Sequence, residues 1–145
     1  AVGSENQVSL CDPSDGSIIR RLPALGERPC MTSGHGDHLL VKDQLVIGDD
    51  ESLISYDPKT GKELVRFLGH DGPVRTVSLH PNGMSMASGG ADKSVRVWDT
   101  GEGSQSYCFE TGRRVTVVAF SPQHQLAMGF SNAQIMISDM REPKK

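Results

Sequence analysis

Four short, largely apolar segments, each closed by a residue pair ending in aspartate, recur along this 145-residue chain. The pairs are Cys11-Asp12, Tyr56-Asp57, Trp98-Asp99 and Ser138-Asp139. The segments before them are Val8-Ser9-Leu10, Leu53-Ile54-Ser55, Val95-Arg96-Val97 and Ile135-Met136-Ile137. The aspartates are 45, 42 and 40 residues apart (57 − 12, 99 − 57 and 139 − 99). A unit of about 40–45 residues repeated in this way buries its apolar face against its neighbours, not within itself. The chain therefore reads as an array.

The best-preserved unit shows what is repeated. Gly61 to Leu68 alternates after a Pro58-Lys59-Thr60-Gly61 turn and reads as a strand, broken by Gly69-His70-Asp71-Gly72-Pro73. Val74 to Leu79 alternates again, and His80-Pro81-Asn82-Gly83 is a strong turn signal. Met84 to Ser88 is a third strand, Gly89-Gly90-Ala91-Asp92 a turn, and Ser94 to Trp98 a fourth. A further turn at Asp99 to Gly103 leads into Gln105 to Phe109. Sixteen glycines and eight prolines suit this economy of short strands and tight turns. No stretch of ten residues sustains a helical apolar period. The fold class is all-β, with blades of four antiparallel strands.

From Gly69-His70 through Leu79-His80-Pro81-Asn82-Gly83 and Ala87-Ser88-Gly89 to Asp92-Lys93-Ser94-Val95-Arg96-Val97-Trp98-Asp99, the chain resembles the WD-repeat family. The resemblance implies β-propeller blades and, within the best-preserved blade, a hydrogen-bonded tetrad of His70, Ser88, Asp92 and Trp98. Buried polar groups must be paired, and an indole N–H only donates, so a hydroxyl between indole and imidazole is sound chemistry. Ser, His and Asp also spell a hydrolytic triad. The periodicity and the tryptophan favour the structural reading.

The other repeats are degenerate. Seven residues before each terminal aspartate stand Glu5, Asp50, Asp92 and Asn132, all polar. Eleven before stand Val46 and Met128 where the best repeat has Ser88, and Cys11, Tyr56 and Ser138 replace Trp98. The expected organisation is the end of one blade (1–24), a blade (25–66), a blade (67–110) and a partial blade (111–145). The chain is expected to open near the end of a second strand at Ala1-Val2-Gly3. Propellers close with about 4–8 blades, so an incomplete ring is expected, finished by remaining chain or another subunit.

In the family, loops leaving the fourth and second strands share one rim, the usual partner surface. The resemblance places Asp49, Asp50, Glu51, Asp71, Arg75, Arg113 and Arg114 there, with Glu27 to Pro29, Ala91, Ser131 and Asn132 nearby. Solvated loop charges and a partner-selecting rim both fit this pattern. Ser33-Gly34-His35-Gly36-Asp37-His38 holds two histidines and an aspartate, but with no further ligand cluster it reads as a loop, and no metal or cofactor is expected. Gly89-Gly90-Ala91-Asp92-Lys93-Ser94 lacks phosphate-loop spacing. Cys11, Cys30 and Cys108 form no paired motif and read as small core residues. His80 and His124 are expected in exposed turns.

A formal net charge of −3 argues against a nucleic-acid surface. No apolar run reaches the ~18–20 residues of a membrane helix, and no signal peptide is read at the N-terminus. A cytoplasmic or nuclear, non-enzymatic scaffold binding other proteins within a multi-subunit complex is the expected function. Rim recognition of a modified peptide or RNA, and a propeller-based hydrolase, are the alternatives.

Overall fold

The computed structural model describes residues 9–11, 14–21, 30–34, 44–57 and 59–141. Among them are thirteen strands and no helix. A two-stranded sheet joins β1 (Ser9–Cys11) to β2 (Ile18–Arg21). Two four-stranded sheets follow: β3 (Cys30–Gly34), β4 (Gln44–Asp49), β5 (Ser52–Tyr56) and β6 (Glu63–Leu68), then β7 (Val74–Leu79), β8 (Ser85–Gly90), β9 (Ser94–Asp99) and β10 (Gln105–Glu110). A three-stranded sheet of β11 (Val115–Phe120), β12 (Gln125–Phe130) and β13 (Ile135–Asp139) completes the order. Every pairing is antiparallel between chain neighbours, and the sheets are not closed into a ring.

The sheets pack face to face, with β7 lying against both β3 and β11. Between the first and second blades Val46, Leu53 and Phe67 meet Val74, Val77, Met86 and Trp98. Between the second and third, Ala87, Val95 and Val97 meet Val115, Val118, Leu126, Met128 and Phe130. Neighbouring inner strands are also tied by side chains. The Thr76 and Ser78 hydroxyls accept the backbone N–H groups of Val118 (3.1 Å) and Phe120 (3.2 Å).

Turn chemistry follows the sequence. Gly83 takes the left-handed conformation (φ 72°), its N–H bonds to His80 O, and the Asn82 side chain accepts the Met84 N–H. His124 holds the corresponding left-handed position in the β11–β12 turn, at φ 62°.

Several expectations need correction. Gly89 and Gly90 are not turn residues but end β8, because a Cβ at Gly89 would lie 2.4 Å from Val115 Cγ1 of the next blade. Only glycine admits that approach. Ser33 and Gly34 belong to β3, paired with Leu45 and Gln44, while His35 to His38 lie outside the described residues, as do Ala1 to Gly3 and Glu27 to Pro29. His80 is buried at 6 % exposure because it stacks on His124 (ring centroids 4.6 Å) and meets Phe120 edge-on. His124 itself is exposed. Cys108, expected in the core, is exposed on the outermost strand β10; the Cys11 and Cys30 side chains lie outside the described residues.

Candidate functional site

The second blade brings His70, Ser88, Asp92 and Trp98 together. His70 comes from the β6–β7 loop, Ser88 from β8, Asp92 from the β8–β9 turn and Trp98 from β9. Trp98 Nε1 donates to Ser88 Oγ (2.8 Å), Ser88 Oγ lies 2.6 Å from His70 Nε2, and His70 Nδ1 lies 2.9 Å from Asp92 Oδ2. With a neutral imidazole protonated on Nδ1 every donor finds an acceptor: indole to hydroxyl, hydroxyl to Nε2, Nδ1–H to carboxylate. Burial pushes the His70 pKa down, outweighing the pull of Asp92 in the other direction. Burial opposes the Asp92 charge. Hydrogen bonds from His70, the Asp71 amide and Ser94 nevertheless hold its pKa below the ordinary carboxylate value.

Two residues that sequence reasoning missed brace this chain. Ser94 donates to Asp92 Oδ2 (2.9 Å), and Arg96 bonds Ser94 Oγ and Gln105 Oε1. The alternation Ser94-Val95-Arg96 placed both on the face of Ser88, and Ser88 pairs directly with Arg96 in the ladder. Chemically the site is closed. Ser88 is fully buried and its oxygen already holds the indole N–H, so it has no approach for a substrate carbonyl.

The neighbouring blades show why the network is single. In the third, Met128 pairs with Met136 as Ser88 pairs with Arg96, and Asn132 keeps the turn role by accepting the Gln134 N–H (3.3 Å). In the first, counting back eleven residues misplaces the position. Ile47, paired with Ile54, occupies the Ser88 place, and Val46 faces the second blade. The β4–β5 turn holds only Asp50 and Glu51, one residue fewer than Ala91-Asp92-Lys93. Asp50 is therefore no counterpart of Asp92.

The rim residues separate into groups. Asp50 and Glu51 are exposed in the β4–β5 turn, and Asp49 ends β4 with its side chain outside the described residues. Asp71 is exposed, 3.8 Å from Arg96 Nη2. Arg113 is bonded to Gln134 Oε1. Arg75 sits on a β-bulge, and with Arg114 it lines a recess of about 390 Å³ that also includes Ala91, Val115, Thr116 and Ser131. The loops carrying these residues are pinned to each other. Ala91 N–H bonds to Pro73 O (2.9 Å), Ser131 N–H to Arg114 O (3.0 Å), and Val74 N–H to Asp50 O. Among the described residues no group of three or more His, Cys, Asp or Glu is placed to hold a metal ion.

Stacked antiparallel sheets, the second of which carries this network, have the architecture of a partial β-propeller. Residues 61–99 match the family described as "WD domain, G-beta repeat". The chain carries a WD repeat over those residues. It is 36% identical over 84 residues to "Ribosome biogenesis protein BOP1 homolog" of Dictyostelium discoideum, covering 56% of this chain and 10% of that protein. It is 35% identical over 74 residues to "Small ribosomal subunit protein RACK1" of Medicago sativa (51% and 23%). It is 27% identical over 107 residues to "Eukaryotic translation initiation factor 3 subunit I" of Phaeosphaeria nodorum (70% and 32%). The chain thus spans a tenth to a third of the length of these relatives.

Proposed function

We propose that this chain is a non-enzymatic scaffold whose rim loops hold other proteins in a multi-subunit complex. The observation that carries the reading is the pinned rim. The β8–β9 and β12–β13 turns donate backbone hydrogen bonds to the loops before β7 and β11, and the β4–β5 turn accepts one from Val74, the first residue of β7. Rigid loops bind without losing conformational freedom, which favours recognition. Ser88 and His70, the groups a hydrolase would need, are used up in internal hydrogen bonds, against the enzymatic alternative. The names of the relatives, a ribosomal protein, a ribosome-biogenesis protein and an initiation-factor subunit, support an assembly of that kind. They also support a cytoplasmic or nuclear setting. No helix among the described residues is long and apolar enough to cross a membrane.

The structural role of His70, Ser88, Asp92 and Trp98 and the blade limits 25–66 and 67–110 belong to the same proposal. So does completion of the ring by further blades, from this chain or another subunit. Native mass measurement of the full-length protein purified under gentle conditions tests the reading. We expect a stoichiometric complex that survives isolation and loses a protein subunit on combined charge reversal at Asp50, Glu51, Arg75 and Arg114. A monomeric mass with unaltered rim residues rejects it. Retained binding to RNA that falls steeply with salt would favour the nucleic-acid alternative instead.

A further inference from the structure

Four of the six arginine side chains described have partners for their guanidinium groups. Arg66 pairs with Glu63, Arg96 with Gln105 and the Asp71–Asp92 side, Arg113 with Gln134, and Arg141 with Asp139. Arg75 and Arg114 are the exceptions among the described side chains. Among the described residues neither guanidinium has a hydrogen-bond or ion-pair partner, and both line the same recess between the second and third blades.

The recess is built for an anion. Arg75 is carried on a bulge of β7, and Thr116 on the corresponding bulge of β11, where an extra residue re-aims its side chain. The Arg114 carbonyl is fixed by Ser131 N–H, so the loop beneath its side chain is held in place. Thr116 and Ser131 add hydroxyl-bearing side chains to the lining, which buried Val115 shares. Two like charges in one concavity repel until an anion bridges them, and guanidinium offers a forked donor matched to carboxylate and phosphate oxygens. The acidic counterweight of the rim, Asp50 and Glu51, lies in the β4–β5 turn of the first blade; Asp50 O accepts the Val74 N–H beside Arg75, but neither acid lines the recess.

We propose that this recess binds an oxyanion carried by a protein partner, a phosphoserine or a glutamate side chain on an extended segment. The inference rests on the scaffold reading and names the chemistry that one stretch of the rim selects.

Its test uses the full-length protein and three degenerate peptide pools, alike except for a central phosphoserine, glutamate or serine. Binding is read by fluorescence anisotropy, with inorganic phosphate as competitor. The phosphoserine or glutamate pool should bind at least tenfold more tightly than the serine pool, and phosphate should displace it. Preference for one acidic pool over the other identifies the source of the oxyanion. R75Q and R114Q should each weaken binding about tenfold, as loss of one charge-assisted contact implies. R113Q, whose guanidinium is already engaged by Gln134, should leave it unchanged. Equal binding of the three pools, absence of binding by all, or an R113Q loss matching R75Q overturns the site. Should any of these occur while the native complex keeps its mass, the scaffold reading stands and the oxyanion site alone fails.

Discussion

The forward faces of the second and third blades carry the same pattern at the same register yet meet different fates. In the second blade Ala87, Val95 and Val97 are buried, the two valines at 0% and 4% exposure, beneath Val115, Val118 and Met128 of the next sheet. Forty residues on, Ala127, Ile135 and Ile137 hold the same ladder positions, and the isoleucines are exposed at 76% and 65%. Burial here is conferred by the following sheet and not by the strand itself. A second difference is chemical. Thr76 and Ser78 bind the amides of β11, whereas their third-blade counterparts Val117 and Ala119 carry no hydroxyl. Any surface that covers the third blade must do so by apolar contact without those two bonds.

The strongest way to break this comparison is at the tetrad. Trp98→Ala should destabilise the protein by about 3–5 kcal/mol, since it removes a fully buried indole between two blades and strips Ser88 of its donor. Ser138, the third-blade counterpart, is only half-buried, and Ser138→Ala should change stability by less than about 0.5 kcal/mol. Denaturant midpoints of the full-length variants give both numbers. Similar shifts for the two substitutions would mean that the tetrad does not organise the second blade.

Gly89 and Gly129 sharpen the contrast at the face itself. A Cβ at Gly89 meets Val115 Cγ1 at 2.4 Å and its Cβ at 2.9 Å, and Val115 is wedged in the core at 1% exposure. Gly89→Ala should cost about 1–3 kcal/mol by forcing the third blade away. A Cβ at Gly129 meets only Val117 Cγ1 that closely, at 2.7 Å, and Val117 is 53% exposed. The valine can turn aside, so Gly129→Ala should cost well under about 1 kcal/mol. Thermal midpoints of the pair measure the difference. An equal cost at both sites would show that the third-blade face is covered in solution.

What could be read from the sequence divides along physical lines. Strand positions and the antiparallel order were legible because alternation and turn residues act locally, whereas His70, Ser88, Asp92 and Trp98 were singled out by the resemblance to the WD-repeat family, framed by Trp98-Asp99. The Ser88 counterpart in the first blade was misread as Val46 because counting from Asp57 assumes a constant turn length, and the β4–β5 turn is one residue shorter. Gly89-Gly90 looked like a turn because nothing local reveals that Val115, twenty-six residues on (115 − 89), needs the space. His80 looked exposed for the same reason, its covering ring coming from the next blade. The last two errors lie where one repeat touches another. The recess of Arg75 and Arg114 joins two repeats in this way, and the sequence offered those arginines only as separate rim charges.

Turns that belong to a single blade should, by the same argument, behave alike in both. Lys93 and Ala133 occupy the same place in the β8–β9 and β12–β13 turns, with φ of 64° and 62°, and both are exposed. A non-glycine residue held there carries left-handed strain of about 1–2 kcal/mol. Glycine removes that strain but loses more freedom on folding. Lys93→Gly and Ala133→Gly should therefore each stabilise by up to about 1 kcal/mol. The backbone acceptor that Thr111 uses, Lys93 O, survives the first change, so that bond is kept. Matching gains in the two thermal midpoints would locate the difference between the blades in their faces. A gain at Lys93 without one at Ala133 would mean that the third-blade turn relaxes on its own, and that the two blades differ in rigidity as well as in cover.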